Sequence, residues 1–266
     1  MRRDPVSSLC RGTPARSYLL VWWGLSLAAG LLAVGAAAAA ESTSIVVGTG
    51  SRVIGSGKVI EEVRPVTGFG GLVVNGPVDV QLKGSSTERV TVRADDNILP
   101  LIETRIEDGK LVVGTTRGAS FRTRNPLRVT VEFTSMSVLA VNGSGDVRAD
   151  RLRAQLLDVT IRGSGDVAID AVESDAVALL IVGSGDFTAS GRAASLGVSV
   201  SGSGDVNTEN LVARDVGILI SGSGDAKVHA TETLQVTIAG SGDVRYRGQP
   251  KVTKKIAGSG DVRPLR

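Results

Sequence analysis

From about residue 66 onward, apolar and polar residues alternate with a period of two. Leu157, Val159 and Ile161 form one such triplet, with polar or small residues between them. Val177, Leu179 and Ile181 repeat it, as do Leu196, Val198 and Val200, then Val216, Ile218 and Ile220, then Leu234, Val236 and Ile238. A period of two predicts strands with one buried face. Each triplet ends two residues before a glycine that opens the tetrapeptide G-S-G-D. The tetrapeptides begin at Gly143, Gly163, Gly183, Gly202, Gly222, Gly240 and Gly258, at spacings of 20, 20, 19, 20, 18 and 18. Four residues past each of these glycines a second alternation begins, with Val147, Val167, Phe187, Val206, Ala226, Val244 and Val262.

Each repeat therefore reads strand, sharp turn, strand, return. A unit of about twenty residues cannot bury its own apolar face, so successive copies must stack. Stacking places each strand parallel to its counterparts, about 4.8 Å away. The predicted fold is all-β, a parallel β-solenoid of about 20-residue coils with an aliphatic interior. A β-propeller fits poorly, because a blade takes about forty residues and four strands.

The tetrapeptide suits a corner where the backbone takes positive φ and has no room for Cβ. Its aspartate is expected to accept hydrogen bonds from nearby backbone amides, as in an Asx-turn. Stacking would line up Asp146, Asp166, Asp186, Asp205, Asp225, Asp243 and Asp261 at about 5 Å spacing, where like charges repel unless they are solvated, hydrogen-bonded or metal-paired. Calcium along this edge is the competing reading. Against it, calcium-binding β-rolls repeat every nine residues, not every twenty. Catalysis by seven equivalent copies is the least natural reading, since chemistry asks for one asymmetric constellation. The corner reading is preferred, with no catalytic, cofactor-binding or metal-ligating residue assigned.

The flanks are less regular. Residues 41–63 form a Gly/Ser-rich and then charged lead-in, with a degenerate copy, G-S-G-K, at Gly55 to Lys58. It is not a phosphate-binding loop, because Arg52 stands in place of the first glycine and Val59 in place of the serine or threonine. Between Val66 and Phe133 the alternation continues without the tetrapeptide, broken by glycine, proline and Asp-Gly turns, so hairpins are expected in an irregular first half. "VNGPVDV" at Val74 to Val80 looks like a worn copy of "VNGSGDV" at Val141 to Val147. At the other end Lys254 occupies a position that is apolar in every earlier copy, and Pro264 follows at a strand position. Both mark a terminal coil.

Composition narrows the function. Arg2, Arg3, Arg11 and Arg16 precede an uncharged, largely apolar run from Tyr18 to Ala40, which ends Ala38-Ala39-Ala40 before Glu41. Residues 1–40 therefore read as a secretory signal peptide, with an uncleaved anchor as the alternative. Cys10, the single cysteine, precedes that run, so neither a lipoprotein signal nor a disulfide is expected. Those forty residues carry four basic and one acidic residue, which leaves 26 of each sign beyond them. A balanced chain has no excess charge with which to neutralise phosphates, which disfavours nucleic acid as a partner. His229 is the one histidine and reads as a surface residue. Arg245, Arg247, Lys251, Lys254 and Lys255 read first as a solvated basic face and second as an anion site.

The entry segment "RPVTGFGGLVVNGPVDVQL" (Arg64 to Leu82), the G-S-G-D series and the closing "YRGQPKVTKKIAGSGDV" (Tyr246 to Val262) together resemble the secreted bacterial head GIN domain family of auto-transporter adhesins. The resemblance spans roughly residues 60–264. It implies a domain over 64–266, a right-handed parallel β-helix of the bacterial envelope, and no catalytic or cofactor residues. An auto-transporter also carries a membrane barrel, and no barrel-like segment follows the last repeat before Arg266, so a passenger-like head without self-translocation is expected.

The expected function is that of a non-enzymatic secreted or envelope protein presenting a rigid solenoid surface for adhesion or scaffolding. Its partner would be an envelope or extracellular polymer, protein or lipid, with membrane contact only through a retained signal. The alternative is a periplasmic or surface binding module for a small ligand, lipid or calcium. An enzyme ranks third, because the acidic residues are spaced along an edge instead of gathered in one groove.

Overall fold

A computed structural model describes residues 52–265. The segment read as a signal peptide, residues 1–40, and the start of the lead-in lie outside the described residues. The first half contains β1 (Val53–Ile54), β2 (Val59–Arg64), β3 (Gly71–Asn75), β4 (Asp79–Gly84), β5 (Arg89–Asp95) and β6 (Ile102–Glu107). It continues with β7 (Lys110–Thr115), β8 (Phe121–Arg122), β9 (Arg128–Phe133) and β10 (Val138–Gly143). The repeats form β11 (Val147–Gly163), β12 (Val167–Gly183), β13 (Phe187–Gly202), β14 (Val206–Gly222) and β15 (Ala226–Gly240). The final coils are β16 (Val244–Arg247), β17 (Lys251–Gly258) and β18 (Val262–Pro264). Among the described residues the one helical turn, of 3-10 type, is Leu99–Leu101.

The predicted stack of parallel coils is what forms. Each of β11 to β15 runs almost continuously from one G-S-G-D corner to the next, bending on the way, and pairs in parallel with the coil on either side. The inward columns are almost wholly aliphatic and closed to solvent: Leu157, Val159 and Ile161 are each 0% exposed, as is Phe187 in the post-corner column, the largest of the fully buried side chains. Each such Val, Leu or Ile contributes about 1.5–3 kcal/mol relative to exposure. Thr208 is the inward exception among the coils, and its hydroxyl donates to the carbonyl of Lys227 at 3.1 Å.

Register is held at the corners and released at the far bend. The glycines Gly143, Gly163, Gly183, Gly202, Gly222, Gly240 and Gly258 stand directly above one another. The shorter repeats lose their residues elsewhere, at register shifts between Ile169 and Val172 and between Thr208 and Val212.

Two constraints act on the corner glycines. Gly163 has φ +126, a region L side chains rarely adopt, whereas Gly165 has no positive φ. What excludes a side chain at Gly165 is proximity, since a Cβ there would overlap the carbonyl oxygen of Gly145 in the preceding coil. At the first glycine positive φ and close stacking act together, since a Cβ at Gly163 would also overlap the carbonyl oxygen of Gly143, whereas at the second close stacking acts alone. From one corner to the next, the amides of Ser184 and Gly185 both donate to the carbonyl of Gly163, at 2.9 and 3.1 Å.

The worn copy behaves as its sequence suggests. Val74 and Asn75 pair with Val141 and Asn142, and Val80 pairs with Val147, so the coil of β3 and β4 lies directly beneath the first full repeat. Its outer neighbour is not an earlier segment but a later one. β7 and β9 run parallel to β3 and β4 on the side away from the repeats. The chain therefore leaves the stack after β4, builds the end, and returns at β10.

That end is closed by antiparallel strands. β6 and β7 form a hairpin through Asp108 and Gly109, both at positive φ, as a two-residue turn requires. On the other side β2 pairs with β5, and β5 with β9, all antiparallel. Strand β2 starts within the lead-in, at Val59. The G-S-G-K copy does not join the stack of corners. The amide of Ser56 instead donates to Asn97 at 2.9 Å, and its hydroxyl bonds Asp96 at 2.5 Å.

At the opposite end Lys254 sits in register with Val236 in an inward column, and its ammonium reaches the carbonyl of Val262 at 3.5 Å. The aliphatic stem covers the core while the charge stays in solvent. No helix among the described residues is long and apolar enough to cross a membrane.

Candidate binding surface

The aspartate row is a ladder of backbone contacts. The amide of Asp166 donates to the carboxylate of Asp146 at 3.1 Å, and the same bond recurs from Asp186 to Asp166 at 2.9 Å. It continues from Asp205 to Asp186, Asp225 to Asp205 and Asp243 to Asp225, each at 2.8 Å, and from Asp261 to Asp243 at 3.0 Å. Asp79 of the worn copy begins the row by accepting from Asp146 at 3.2 Å. The acceptor relation is between coils, not within the turn as an Asx-turn would have it. Only Asp261 bonds locally, to the amide of Val262 at 2.7 Å.

In return the carbonyl of each later aspartate accepts from the earlier coil, as with the Phe187 amide and the Asp205 carbonyl at 2.9 Å. Reciprocal bonds of this kind offset the repulsion of closely spaced carboxylates. No group of three or more His, Cys, Asp or Glu side chains disposed to hold a metal ion occurs among the described residues.

The basic residues singled out near the C-terminus are not brought together. Arg245 and Arg247 lie on β16 after a corner, while Lys251, Lys254 and Lys255 lie on β17 before the next one. Arg247 pairs with Glu209 at 3.5 Å, and Lys254 is engaged at the core end. His229 is half-exposed and in register with Arg247.

A different set of side chains does converge, at the far bend of the repeats. Arg153, Glu173 and Arg192 occupy one column across β11, β12 and β13. The guanidinium of Arg153 meets the Glu173 carboxylate at 2.6 Å, and that of Arg192 meets it from the other side at 3.3 Å. The hydrogen bond from Arg153 holds the Glu173 carboxyl below the usual carboxylate range, helped by the charges of Arg153, Arg192 and Arg151.

These residues line an open cavity of about 680 Å³, floored by Ala154, Ser174 and Ala193. A second cavity of about 510 Å³ adjoins it, sharing Arg153 and extending past Arg151 to Ser85 and Thr134. The result is one groove along the stacking axis, with a polar, charged rim over an apolar floor. Sequence reading missed it because its members are 19 or 20 residues apart and differ from coil to coil. Writing the coils in register would have placed Arg, Glu and Arg in one column.

A third site lies beside the end cap. Asp95 is 2% exposed and accepts from the Thr123 hydroxyl and the Asn125 side-chain Nδ2, both at 2.6 Å. With its partners in place, this carboxylate ties the 121–125 loop to the cap.

Solved structures share this architecture. A putative adhesin from Bacteroides fragilis superposes with a TM-score of 0.76 at 23% identity, covering 80% of this chain and 100% of its own. A putative lipid binding protein from Parabacteroides distasonis gives 0.66 at 22% identity, covering 81% and 100%. A putative adhesin from the same species gives 0.64 at 25% identity, covering 80% and 100%. No protein of curated function matches the sequence. Residues 68–250, from the entry segment through the last full coil, match the family described as putative auto-transporter adhesin, head GIN domain, and the chain belongs to that family.

Proposed function

We propose that the protein is a non-enzymatic envelope or extracellular protein whose rigid solenoid flank serves adhesion or scaffolding. The observation that carries this reading is the polar groove, two adjoining cavities of about 680 and 510 Å³ that share Arg153 and run along the stack. A groove this open, with charges of both signs at its rim, suits an extended polar polymer or peptide better than a small molecule. Family membership and the signal-like residues 1–40 support an envelope destination. The non-enzymatic part is supported by the acidic residues, which are spread along a corner row and engaged by backbone amides instead of gathered around one cleft.

The test is to couple the full chain to beads and measure retention of bacterial or host cells, matrix proteins and envelope polysaccharides. Wild type should retain at least one of these, and Arg153→Glu with Arg192→Glu should abolish it. Those side chains are 64% and 78% exposed, so their reversal leaves the core intact. Absence of retention from every panel member, or retention that the double variant leaves unchanged, overturns the proposal.

A further inference from the structure

The outward faces of the strands that precede the corners are uncharged over four coils. Positions 178, 180 and 182 of β12, 197, 199 and 201 of β13, 217, 219 and 221 of β14, and 235, 237 and 239 of β15 contain no Asp, Glu, Lys or Arg. Within this field Val182 and Leu219 are 43% and 45% exposed. Charge returns at its margins, with Asp158 and Arg162 in β11, Asp215 two residues before Gly217 in β14, and Lys255 in β17.

A trough of about 410 Å³ crosses this face parallel to the stacking axis. It runs from Asp158 to Gln235 and Thr237, over Ala178, Gly197 and Gly217, with Leu180 and Leu219 along one wall. It spans five coils, or about 19 Å at the spacing of stacked strands. One step further stands Lys255, in register with Thr237 and without a carboxylate in ion-pair reach among the described residues.

Gly197 and Gly217 stand apart from the corner glycines. Neither has positive φ, and a Cβ would meet nothing within 4 Å at Gly217 and only the Val177 carbonyl at 3.9 Å at Gly197. The fold itself does not require glycine at either position. Glycine within a strand weakens it and is kept where a ligand or another backbone approaches closely.

The size of the field decides between occupants. At about 13 Å by about 14 Å it falls far short of the roughly 800 Å² per partner of a stable dimer. No aromatic ring lines the trough for a sugar to stack on. Its shallow apolar floor, with a negative charge at one end and a positive charge past the other, matches a single apolar chain with an anionic head. We propose that the trough binds a free fatty acid of about palmitoyl length, its chain lying over Ala178, Gly197 and Gly217 and its carboxylate meeting Lys255. This site lies on a different face from the polar groove, and its occupation is independent of adhesion.

The test is calorimetric titration of the full chain with palmitate below its micelle concentration, with hexadecanol as the neutral comparison. Saturable one-to-one binding is expected for palmitate. Gly217→Val, whose side chain has room, should weaken it at least about tenfold by filling the trough. Lys255→Glu should weaken palmitate by a similar factor while leaving hexadecanol unchanged. Arg192→Glu, on the other face, should leave both intact even if it abolishes bead retention. Absence of saturable binding, equal affinity in wild type and Gly217→Val, or equal effects of Lys255→Glu on acid and alcohol would overturn the proposal.

Discussion

The backbone amide of Asp225 donates to the carboxylate of Asp205, one coil earlier, at 2.8 Å. Each corner of the repeat array is thus bound to the next by a side chain, not only by the strand ladder. Asp205→Ala removes the acceptor and leaves the Asp225 amide to water, at a cost of about 1–2 kcal/mol. Asp205→Asn keeps an acceptor oxygen and removes one of several closely spaced like charges, so it should stay within about 0.5 kcal/mol of wild type. Denaturant unfolding of the two variants checks this. Equal losses for both would show that charge, not the acceptor, is what the corner uses.

Glycine substitutions should separate the two kinds of position. Gly204→Ala would drive a Cβ into the carbonyl of Gly185, which cannot withdraw without breaking the corner. A loss above about 3 kcal/mol is expected, in the range of severe overpacking. Gly217→Ala meets open space and reduces the freedom of the unfolded chain, so it should stabilise by about 0.4–1 kcal/mol. Thermal melts in parallel would decide it, and a Gly204→Ala protein as stable as wild type would refute the close-stacking account.

The repeated half was legible because two signals coincide there: a period of two that names the buried face, and a tetrapeptide that names the corner. Together they fix which residues stack, down to Val147 on Val167 and Leu139 on Val159. The first half carries only the first signal. Alternation in "KLVVGTT" or "PLRVTVEF" does not distinguish parallel from antiparallel partners, so the placement of β7 and β9 outside β3 and β4 was hidden. The Asp-Gly turn was visible because a two-residue hairpin selects those residues. The inter-coil aspartate bonds and the Arg153–Glu173–Arg192 column arise only once coils are superposed, and no local pattern announces them.

Lys254 caps a core that would otherwise end in exposed valine and isoleucine. Val252 and Ile256 beside it are half-buried, and β17 presents an unpaired edge. Lys254→Val restores the apolar column and removes an inward-pointing charge of the kind that blocks edge-to-edge pairing. Higher-mass species that grow with concentration are expected relative to wild type, because stacking of this end on another surface does not close. Lys254→Arg should behave as wild type. Sedimentation of the three proteins over a range of concentrations tests it, and identical mass distributions would count against a capping role.

Glu173 should titrate below the ordinary glutamate range, because the 2.6 Å contact with Arg153 favours its ionised form. A carboxyl whose folded value is lowered contributes stability that is present above its unfolded value and lost as pH falls through the folded one. Here the side chain is open to solvent, so the effect on stability is small and the useful readout is the titration itself. Carboxyl-detected NMR should show the Glu173 midpoint moving up towards the ordinary range in Arg153→Ala. A smaller move is expected in Arg192→Ala, whose contact is 3.3 Å. The same titration bears on the groove. Once Glu173 is protonated, Arg153 and Arg192 lose the carboxylate between them, and the groove becomes more basic. Retention of a sulfated polymer, which stays ionised in acid, should therefore strengthen as pH falls through the Glu173 midpoint, and Glu173→Gln should strengthen its retention already at neutral pH. A Glu173 midpoint that Arg153→Ala leaves unmoved would remove the premise of this pH response.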